Sequence, residues 1–129
     1  AACVGEEMTV LITGDMSFSY DVNGLSSTYL SPRFKIIVMC NGGGGIFRFI
    51  KPTSDLPELE TCFEIHRDIS VEKYADLFGL RYFELNDEKS AAEVLSLFFA
   101  EEDRPAILAV HTPNVYNAEV LRGYFRRSR

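Results

Sequence analysis

The sequence lacks several features that mark special classes of protein. It has no excess of basic residues, because 13 Lys and Arg stand against 19 Asp and Glu, for a net charge of −6. A nucleic-acid surface needs a basic stripe. It also has no apolar run near the roughly 18 residues of a membrane-spanning helix, and no visible signal peptide. We therefore expect a cytoplasmic protein without a nucleic-acid or membrane partner.

Cysteine and histidine are also scarce, and their positions suggest no metal or nucleophilic site. The three cysteines, Cys3, Cys40 and Cys62, are odd in number and lack zinc-type spacing. We expect them to be buried, reduced thiols. His66 and His111 have no cysteine or acidic partner at zinc spacing, and no Ser-His-Asp triad can be argued from residue order.

The composition is that of an ordinary globular domain, with 47% hydrophobic and 25% charged residues. Short apolar runs alternate with amphipathic stretches along the chain. This pattern predicts a doubly wound, three-layer α/β/α domain with a parallel sheet. The predicted strands are 8–13, 34–40, 81–85 and 105–111, and the predicted helices are 17–30, 70–79, 87–98 and 114–126.

Polar residues follow the first two predicted strands, at the edge where open α/β sheets bind ligands. Thr13-Gly14-Asp15-Met16-Ser17 ends the first, and Asn41-Gly42-Gly43-Gly44-Gly45 ends the second. Asp15 offers a carboxylate, Asn41 offers an amide oxygen, and the glycines expose their backbone. Such oxygen ligands suit Mg²⁺ held together with a substrate phosphate. Ser17 is a candidate helix N-cap that can also contact a phosphate.

Three segments together resemble a known enzyme family. Asp15 and Asn41 are 26 residues apart, which resembles the Mg²⁺ and diphosphate motif of thiamine-diphosphate enzymes. The motif of Asp15 and Asn41 is accompanied by Tyr20-Asp21-Val22-Asn23-Gly24-Leu25 and by Ile46-Phe47. Together these segments resemble the 2-succinyl-5-enolpyruvyl-6-hydroxy-3-cyclohexene-1-carboxylate synthases of menaquinone biosynthesis. The resemblance extends over essentially the whole chain and is strongest between Val10 and Ile50.

The resemblance implies a set of site residues. Thiamine diphosphate would be bound by Gly14, Asp15, Met16, Ser17, Asn41, Gly43, Gly44 and Ile46. Mg²⁺, or Mn²⁺, would be bound by Asp15, Asn41 and the Gly43 carbonyl, and Ile46, Phe47 and Ile50 would line the substrate. No residue of this chain is assigned a catalytic role. The chain departs from the family at two positions. The family usually has Asn at the position of Cys40, and it often has Asn at the position of Gly42 as well.

The resemblance also implies that residues 1–129 are one domain, the C-terminal part of a longer enzyme. The start at Ala1 instead of a Met fits an excised piece. The missing N-terminal domains would supply the Glu that activates the cofactor, from a neighbouring subunit of a homo-oligomer. The whole enzyme would decarboxylate 2-oxoglutarate and add the succinyl unit to isochorismate. We expect the isolated chain to be inactive.

Two other functions stay open. The first is another thiamine-diphosphate enzyme, of the acetolactate synthase or 2-oxo-acid decarboxylase type. The second is a non-catalytic flavodoxin-like binding module. Single residues also have alternatives. By base rate Ile46, Phe47 and Ile50 favour core packing over a substrate contact, and Arg48 is interpreted as a solvated charge in preference to an anion contact. Residues 51–68 are predicted to be a long mobile loop.

Overall fold

The structure is a computed structural model that describes residues 7–64, 69–100 and 103–127. Its four strands form one parallel sheet in the order β1-β2-β4-β3. The strands are β1 (Thr9–Gly14), β2 (Phe34–Cys40), β3 (Arg81–Leu85) and β4 (Ala106–His111). The helices are α1 (Asp15–Asp21), α2 (Gly45–Phe49), α3 (Val71–Phe78), α4 (Ala91–Phe99) and α5 (Asn114–Arg127). Short helical turns lie at Val22–Ser26, Thr53–Asp55, Leu59–Phe63 and Glu88–Ser90.

Hydrophobic side chains bury both faces of the sheet. On one face, α1 and α3 pack Phe18 and Ala75 against Ile36 of β2. On the other face, α4 packs Phe98 against Ala106 and Leu108 of β4. Helices on both sides of a parallel sheet confirm the predicted three-layer α/β/α class.

The strand register brings three carboxyl ends to the same edge of the sheet. Gly14 at the end of β1 lies beside Met39 of β2, and Cys40 lies beside His111 of β4. The loops that follow β1 and β2 are therefore neighbours, as the sequence predicts for a ligand-binding edge.

The predicted start and length of the first helix are wrong. Helix α1 begins at Asp15 with Gly14 at its N-cap, so Ser17 lies inside the helix and does not cap it. The helix ends at Asp21 and continues only as a 3₁₀ turn to Ser26, short of the predicted end near Leu30. The physical reason is that the Asp15 carboxylate accepts hydrogen bonds from the N–H groups of Asn41 and Gly42, in the loop that follows β2. These contacts fix Asp15 as the first helical residue, two residues before the predicted start.

The ends of α3 agree with the prediction. The Ser70 hydroxyl accepts a hydrogen bond from the Lys73 N–H, and Gly79 ends the helix in a left-handed conformation. Asp87 accepts hydrogen bonds from the N–H groups of Lys89 and Ser90 in the turn that leads into α4. Local capping chemistry therefore sets these boundaries.

The amphipathic pattern of 114–126 predicts that Val115, Ala118, Leu121 and Phe125 of α5 face inward, and this prediction is mostly wrong. Ala118 is buried, but Val115, Leu121 and Phe125 are exposed. Helix α5 packs against α2, where the ring of Phe125 lies 6.0 Å from that of Phe49. Its apolar stripe contacts a five-residue helix in place of a sheet, and so most of the stripe stays uncovered.

Residues 51–64 are more regular than the predicted loop. They contain a 3₁₀ turn at Thr53–Asp55 and a π-helical turn at Leu59–Phe63. Residues 65–68, with His66, lie outside the described part of the chain, as does Cys3. Cys62 is exposed, so the expectation that it is buried is wrong. In the described ranges, no helix is long and apolar enough to cross a membrane.

Candidate functional site

The loop after β2 has a backbone conformation that depends on glycine. Gly42, Gly43 and Gly44 have φ angles of 83°, 87° and 66°, in the left-handed region. Residues with a side chain adopt this region at a cost of about 1 kcal/mol or more each, whereas glycine adopts it freely. Three such residues in succession curl the loop back toward the end of β1.

The carboxylate of Asp15 holds this loop in place. Its Oδ2 accepts hydrogen bonds from the N–H groups of Asn41, Gly42 and Gly43 at 3.1, 2.9 and 3.1 Å. Its Oδ1 accepts one from the N–H of Met16 at 2.8 Å. Asp15 is only 5% exposed. A buried carboxylate is stable here because four backbone dipoles point at it.

The side-chain oxygens of Asp15 and Asn41 converge on one point of the loop. Asn41 Oδ1 accepts a hydrogen bond from the Gly43 N–H at 3.1 Å, and the same N–H donates to Asp15 Oδ2. Asp15 Oδ1 and Asn41 Oδ1 each receive one hydrogen bond that the structure specifies, which leaves lone pairs for a cation. One carboxylate and one amide oxygen form a hard donor set that fits Mg²⁺.

An ion at this place would depend on few charged groups. Within the described ranges, no three or more His, Cys, Asp or Glu side chains are grouped so that they could hold a metal. The charge of the donor set would therefore come from Asp15, with neutral oxygens from Asn41 and the backbone completing it. Such an incomplete set is typical of Mg²⁺ sites in which a substrate phosphate supplies the remaining charge.

An open pocket of about 410 Å³ lies against these groups. Eight of the sequence-predicted residues line it, namely Gly14, Asp15, Met16, Ser17, Asn41, Gly44, Ile46 and Phe47. Gly43 is buried beneath the loop, and Ile50 lies at the far end of α2, so neither lines the pocket. The lining also includes Tyr20, Gly45 and Phe63. Phe63 gave no sequence signal, because its segment has no motif or period.

The apolar residues of α2 are not core residues. Ile46 is 61% exposed and Phe47 is 36% exposed, and Ile50 is also exposed. The core-packing alternative is therefore wrong for all three. Ile46 and Phe47 form an apolar side of the pocket, and their predicted contact with substrate stays a prediction.

The interpretation of Arg48 as a solvated charge is wrong. Its Nε donates to Glu64 Oε1 at 2.8 Å, and its Nη2 lies 2.6 Å from Glu64 Oε2 and 3.0 Å from Glu60 Oε1. The side chain of Arg48 is 19% exposed and that of Glu64 is fully buried. The hydrogen bonds that Arg48 donates to Glu64 and Glu60 raise the pKa of Arg48 above its usual range. The sequence does not predict this pair, because its members are 16 positions apart and no periodic pattern connects them.

Two other titratable side chains, Cys40 and His111, lie at the carboxyl ends of β2 and β4. Burial, with the charges of Asp15 and Glu84, raises the pKa of the Cys40 thiol to about 11. This thiol is therefore neutral near pH 7 and is not an activated nucleophile there. His111 Nε2 lies 3.0 Å from Glu84 Oε1, in an exposed pair at the ends of β3 and β4.

A larger cavity of about 600 Å³ lies between α5 and the ends of β3 and β4. Its walls are mostly apolar, with Leu85, Val110 and Val120 among them, and it includes no residue of the glycine loop. We assign the candidate site to the smaller pocket, because only that pocket combines a buried carboxylate with a second converging oxygen.

Fold and site together define the class of this protein. It is a parallel α/β domain with a single carboxylate, an amide oxygen and a glycine loop at adjacent strand ends, which is typical of domains that bind a phosphate with a cation. Comparison with curated proteins then identifies the family. No family model matches the chain.

The relatives share one name. The chain is 49% identical to the 2-succinyl-5-enolpyruvyl-6-hydroxy-3-cyclohexene-1-carboxylate synthase of Porphyromonas gingivalis over 117 residues, 91% of the chain and 20% of the relative. It is 40% identical to the Flavobacterium johnsoniae synthase over 126 residues and 36% identical to the Christiangramia forsetii synthase over 125. These matches cover 97% of the chain and 23% and 22% of the relatives. The chain belongs to this synthase family, and it spans about one fifth of the length of these relatives.

Proposed function

We propose that this chain is the domain that binds thiamine diphosphate and Mg²⁺ in a synthase of menaquinone biosynthesis. The observation that carries the proposal is the convergence of Asp15 and Asn41 oxygens on the Gly43 N–H, beside an open pocket. The shared name of the relatives supports the reaction class and favours it over an acetolactate synthase or a non-catalytic module.

Each residue of the site has a distinct part in this proposal. Asp15 supplies the negative charge that holds Mg²⁺, Asn41 supplies a neutral oxygen, and the Gly43 carbonyl supplies another. Gly14, Met16, Ser17 and Gly44 lie along the pocket wall and would contact the cofactor. When bound, thiamine diphosphate supplies the nucleophilic carbon that a 2-oxo-acid decarboxylation needs. In this proposal the chain binds and orients the cofactor, and no proton transfer is assigned to its described residues.

The activity of the whole enzyme extends beyond this chain. We propose that the full-length protein decarboxylates 2-oxoglutarate and adds the succinyl unit to isochorismate, as a cytoplasmic homo-oligomer. This chain would be its C-terminal domain, with Ile46, Phe47 and Ile50 toward the substrate. The isolated chain should show no turnover of the two substrates above a no-protein control, because the N-terminal domains complete the cleft. Turnover by the pure chain would contradict this division of labour.

Calorimetric titration of the chain with thiamine diphosphate, with and without Mg²⁺, tests the binding proposal. We expect binding that requires Mg²⁺ and is lost in Asp15→Ala. Asn41→Ala should bind more weakly but still measurably, since water can replace its oxygen on the ion. Asp21→Ala is the matched control, because Asp21 lies in the same helix and is exposed. Wild-type affinity with intact Mg²⁺ dependence in Asp15→Ala would refute the metal assignment.

A further inference from the structure

The backbone of residues 63 and 64 lies directly against Gly44. A Cβ atom at Gly44 would come within 2.6 Å of Glu64 Cα and 2.7 Å of the Phe63 carbonyl oxygen. Real Cβ atoms do not make such contacts, and φ at Gly44 is +66°. The glycine therefore makes room for a second piece of chain, the turn Leu59–Phe63 and Glu64, in addition to any ligand.

A buried ion pair holds this piece of chain in place. Glu64 has a fully buried side chain, and Arg48 of α2 approaches both of its carboxylate oxygens, at 2.8 and 2.6 Å. Two parallel hydrogen bonds fix the relative orientation of the two groups as well as their distance. The Glu64 N–H donates to the Leu59 carbonyl at 2.9 Å, so the same residue closes the π-helical turn.

The turn carries one residue into the candidate pocket. Phe63 lines the pocket. Its ring centroid lies 5.4 Å from that of Phe47, which also lines the pocket. Phe63 is the only lining residue that comes from beyond α2 in the described chain. Its position depends on Arg48, which attaches the turn to α2 through the buried, adjacent Glu64 and through the exposed Glu60.

We propose that Arg48 and Glu64 are a positioning pair that fixes Phe63 and the chain beside Gly44 as one wall of the pocket, and thereby sets the affinity for thiamine diphosphate. The ligand named here rests on the proposed function, whereas the attachment of the wall does not. Removal of one partner of a buried pair leaves the other charge uncompensated, so the turn should detach from α2.

The absence of tryptophan from the sequence provides a clean probe. Phe63→Trp places a single indole in the wall, and its emission reports whether the turn lies against the pocket. In this reference protein, Arg48→Gln removes the ion pair. Asp55→Asn is the matched control, because Asp55 forms an exposed ion pair with Lys51 at 3.6 Å in the same segment. Arg48→Lys keeps the charge but cannot form both hydrogen bonds.

We expect Arg48→Gln to shift the emission to the red and to weaken Mg²⁺-dependent binding of thiamine diphosphate by about 10- to 100-fold, as loss of outer-shell support does at metal sites. Arg48→Lys should give a partial shift in both, and Asp55→Asn should change neither. Far-UV circular dichroism checks that each variant is folded. If Arg48→Gln does not fold, the comparison of Arg48→Lys with Asp55→Asn decides.

Three results would overturn the proposal. They are an unchanged emission, a red shift without loss of affinity, and an equal effect of Asp55→Asn. The affinity for thiamine diphosphate is compared between variants with Phe63 retained, because Phe63 itself lines the pocket. A wild-type chain that binds no thiamine diphosphate would contradict the proposed function, and the emission of the Phe63→Trp variants would then decide alone whether Arg48 and Glu64 hold the wall.

Discussion

Replacement of Asp15 should affect stability as well as ligand binding. A carboxylate at the rim of a crevice would contribute little to folding, and the sequence alone suggests that role for Asp15. The structure shows a side chain that is 5% exposed and accepts four backbone hydrogen bonds. Its removal therefore frees the loop after β2 from the end of β1.

The expected loss in the free energy of unfolding on Asp15→Ala depends on which of the four N–H groups water can reach. Hydrogen bonds to charged groups contribute roughly 1.5–3 kcal/mol each, but the N–H groups of Met16, Asn41 and Gly42 are only partly buried, and water can replace the lost acceptor. The Gly43 N–H is buried but keeps Asn41 Oδ1 as an acceptor. We therefore expect Asp15→Ala to lower the free energy of unfolding by about 2–4 kcal/mol, well below the sum of four bonds.

Asp15→Asn separates the two roles of the residue. The amide oxygen can still accept from the three loop N–H groups, but the amide nitrogen then faces the Met16 N–H, and the charge is lost. We expect a loss of about 1–2 kcal/mol in stability, together with loss of Mg²⁺-dependent binding as complete as in Asp15→Ala.

Urea unfolding of both variants, with Asp21→Ala as the control, measures the stability changes. The control should stay within about 0.5 kcal/mol of the wild type, as surface substitutions usually do. An Asp15→Ala protein as stable as the wild type would refute the conclusion that this carboxylate anchors the loop. A larger loss in Asp15→Asn than in Asp15→Ala would refute the hydrogen-bond argument.

Four further predictions concern the loop, the half-buried Cys40 thiol and the segment after α2. Gly44→Ala should destabilise the chain by roughly 2 kcal/mol, because its Cβ would collide with Glu64 at a residue with positive φ. Gly24→Ala is the control and should not destabilise the chain, because nothing lies within 4 Å of the added Cβ. Urea unfolding measures both variants. Iodoacetamide at pH 8 should modify the exposed Cys62 well before Cys40, whose raised pKa, about 11, keeps its thiol neutral. For the same reason, the free energy of unfolding should fall as pH rises from 9 to 11, because the folded chain favours the neutral Cys40 thiol. Cys40→Ser should show a smaller fall over this pH range, and an equal fall would contradict the raised pKa of Cys40. Amides of 51–64 should exchange faster than those of β2 (Phe34–Cys40), and slower exchange there would contradict the predicted mobility.

The sequence predicts the sheet well because the strands are short apolar runs that end in glycine or polar residues. Even so, β2 contains Lys35, which is 1% exposed. Its ammonium donates to the Ala100 carbonyl at 3.2 Å and lies 5.9 Å from the ring of Phe98. Burial, with the charge of Arg81, lowers the pKa of Lys35. These partners come from α4 and its end, and no local pattern around Lys35 indicates them.

The sequence also predicts most of the residues at the candidate pocket, since its motif residues follow adjacent strands. It does not predict the wall formed by Phe63 or the pair of Arg48 and Glu64. Both depend on where a segment without periodicity folds back, and that position is set by long-range contacts of Arg48, Phe47 and Gly44 with this segment. The misplaced face of α5 has a similar cause: helical periodicity marks an apolar stripe but does not specify which element will cover it.

The hydrogen bonds of Asp15 also bear on how a cation would be bound. A loop with three left-handed glycines has many alternative conformations, and ordering it on binding would weaken affinity. In this structure the carboxylate already orders the loop through Oδ2, while Oδ1 receives only one hydrogen bond that the structure specifies. A cation held by Asp15 and Asn41 through lone pairs that these hydrogen bonds do not use would therefore leave the three loop hydrogen bonds intact. The affinity for Mg²⁺ should then depend on the Asp15 carboxylate in two ways. Its negative charge attracts the ion, and its hydrogen bonds keep the loop ordered before the ion binds.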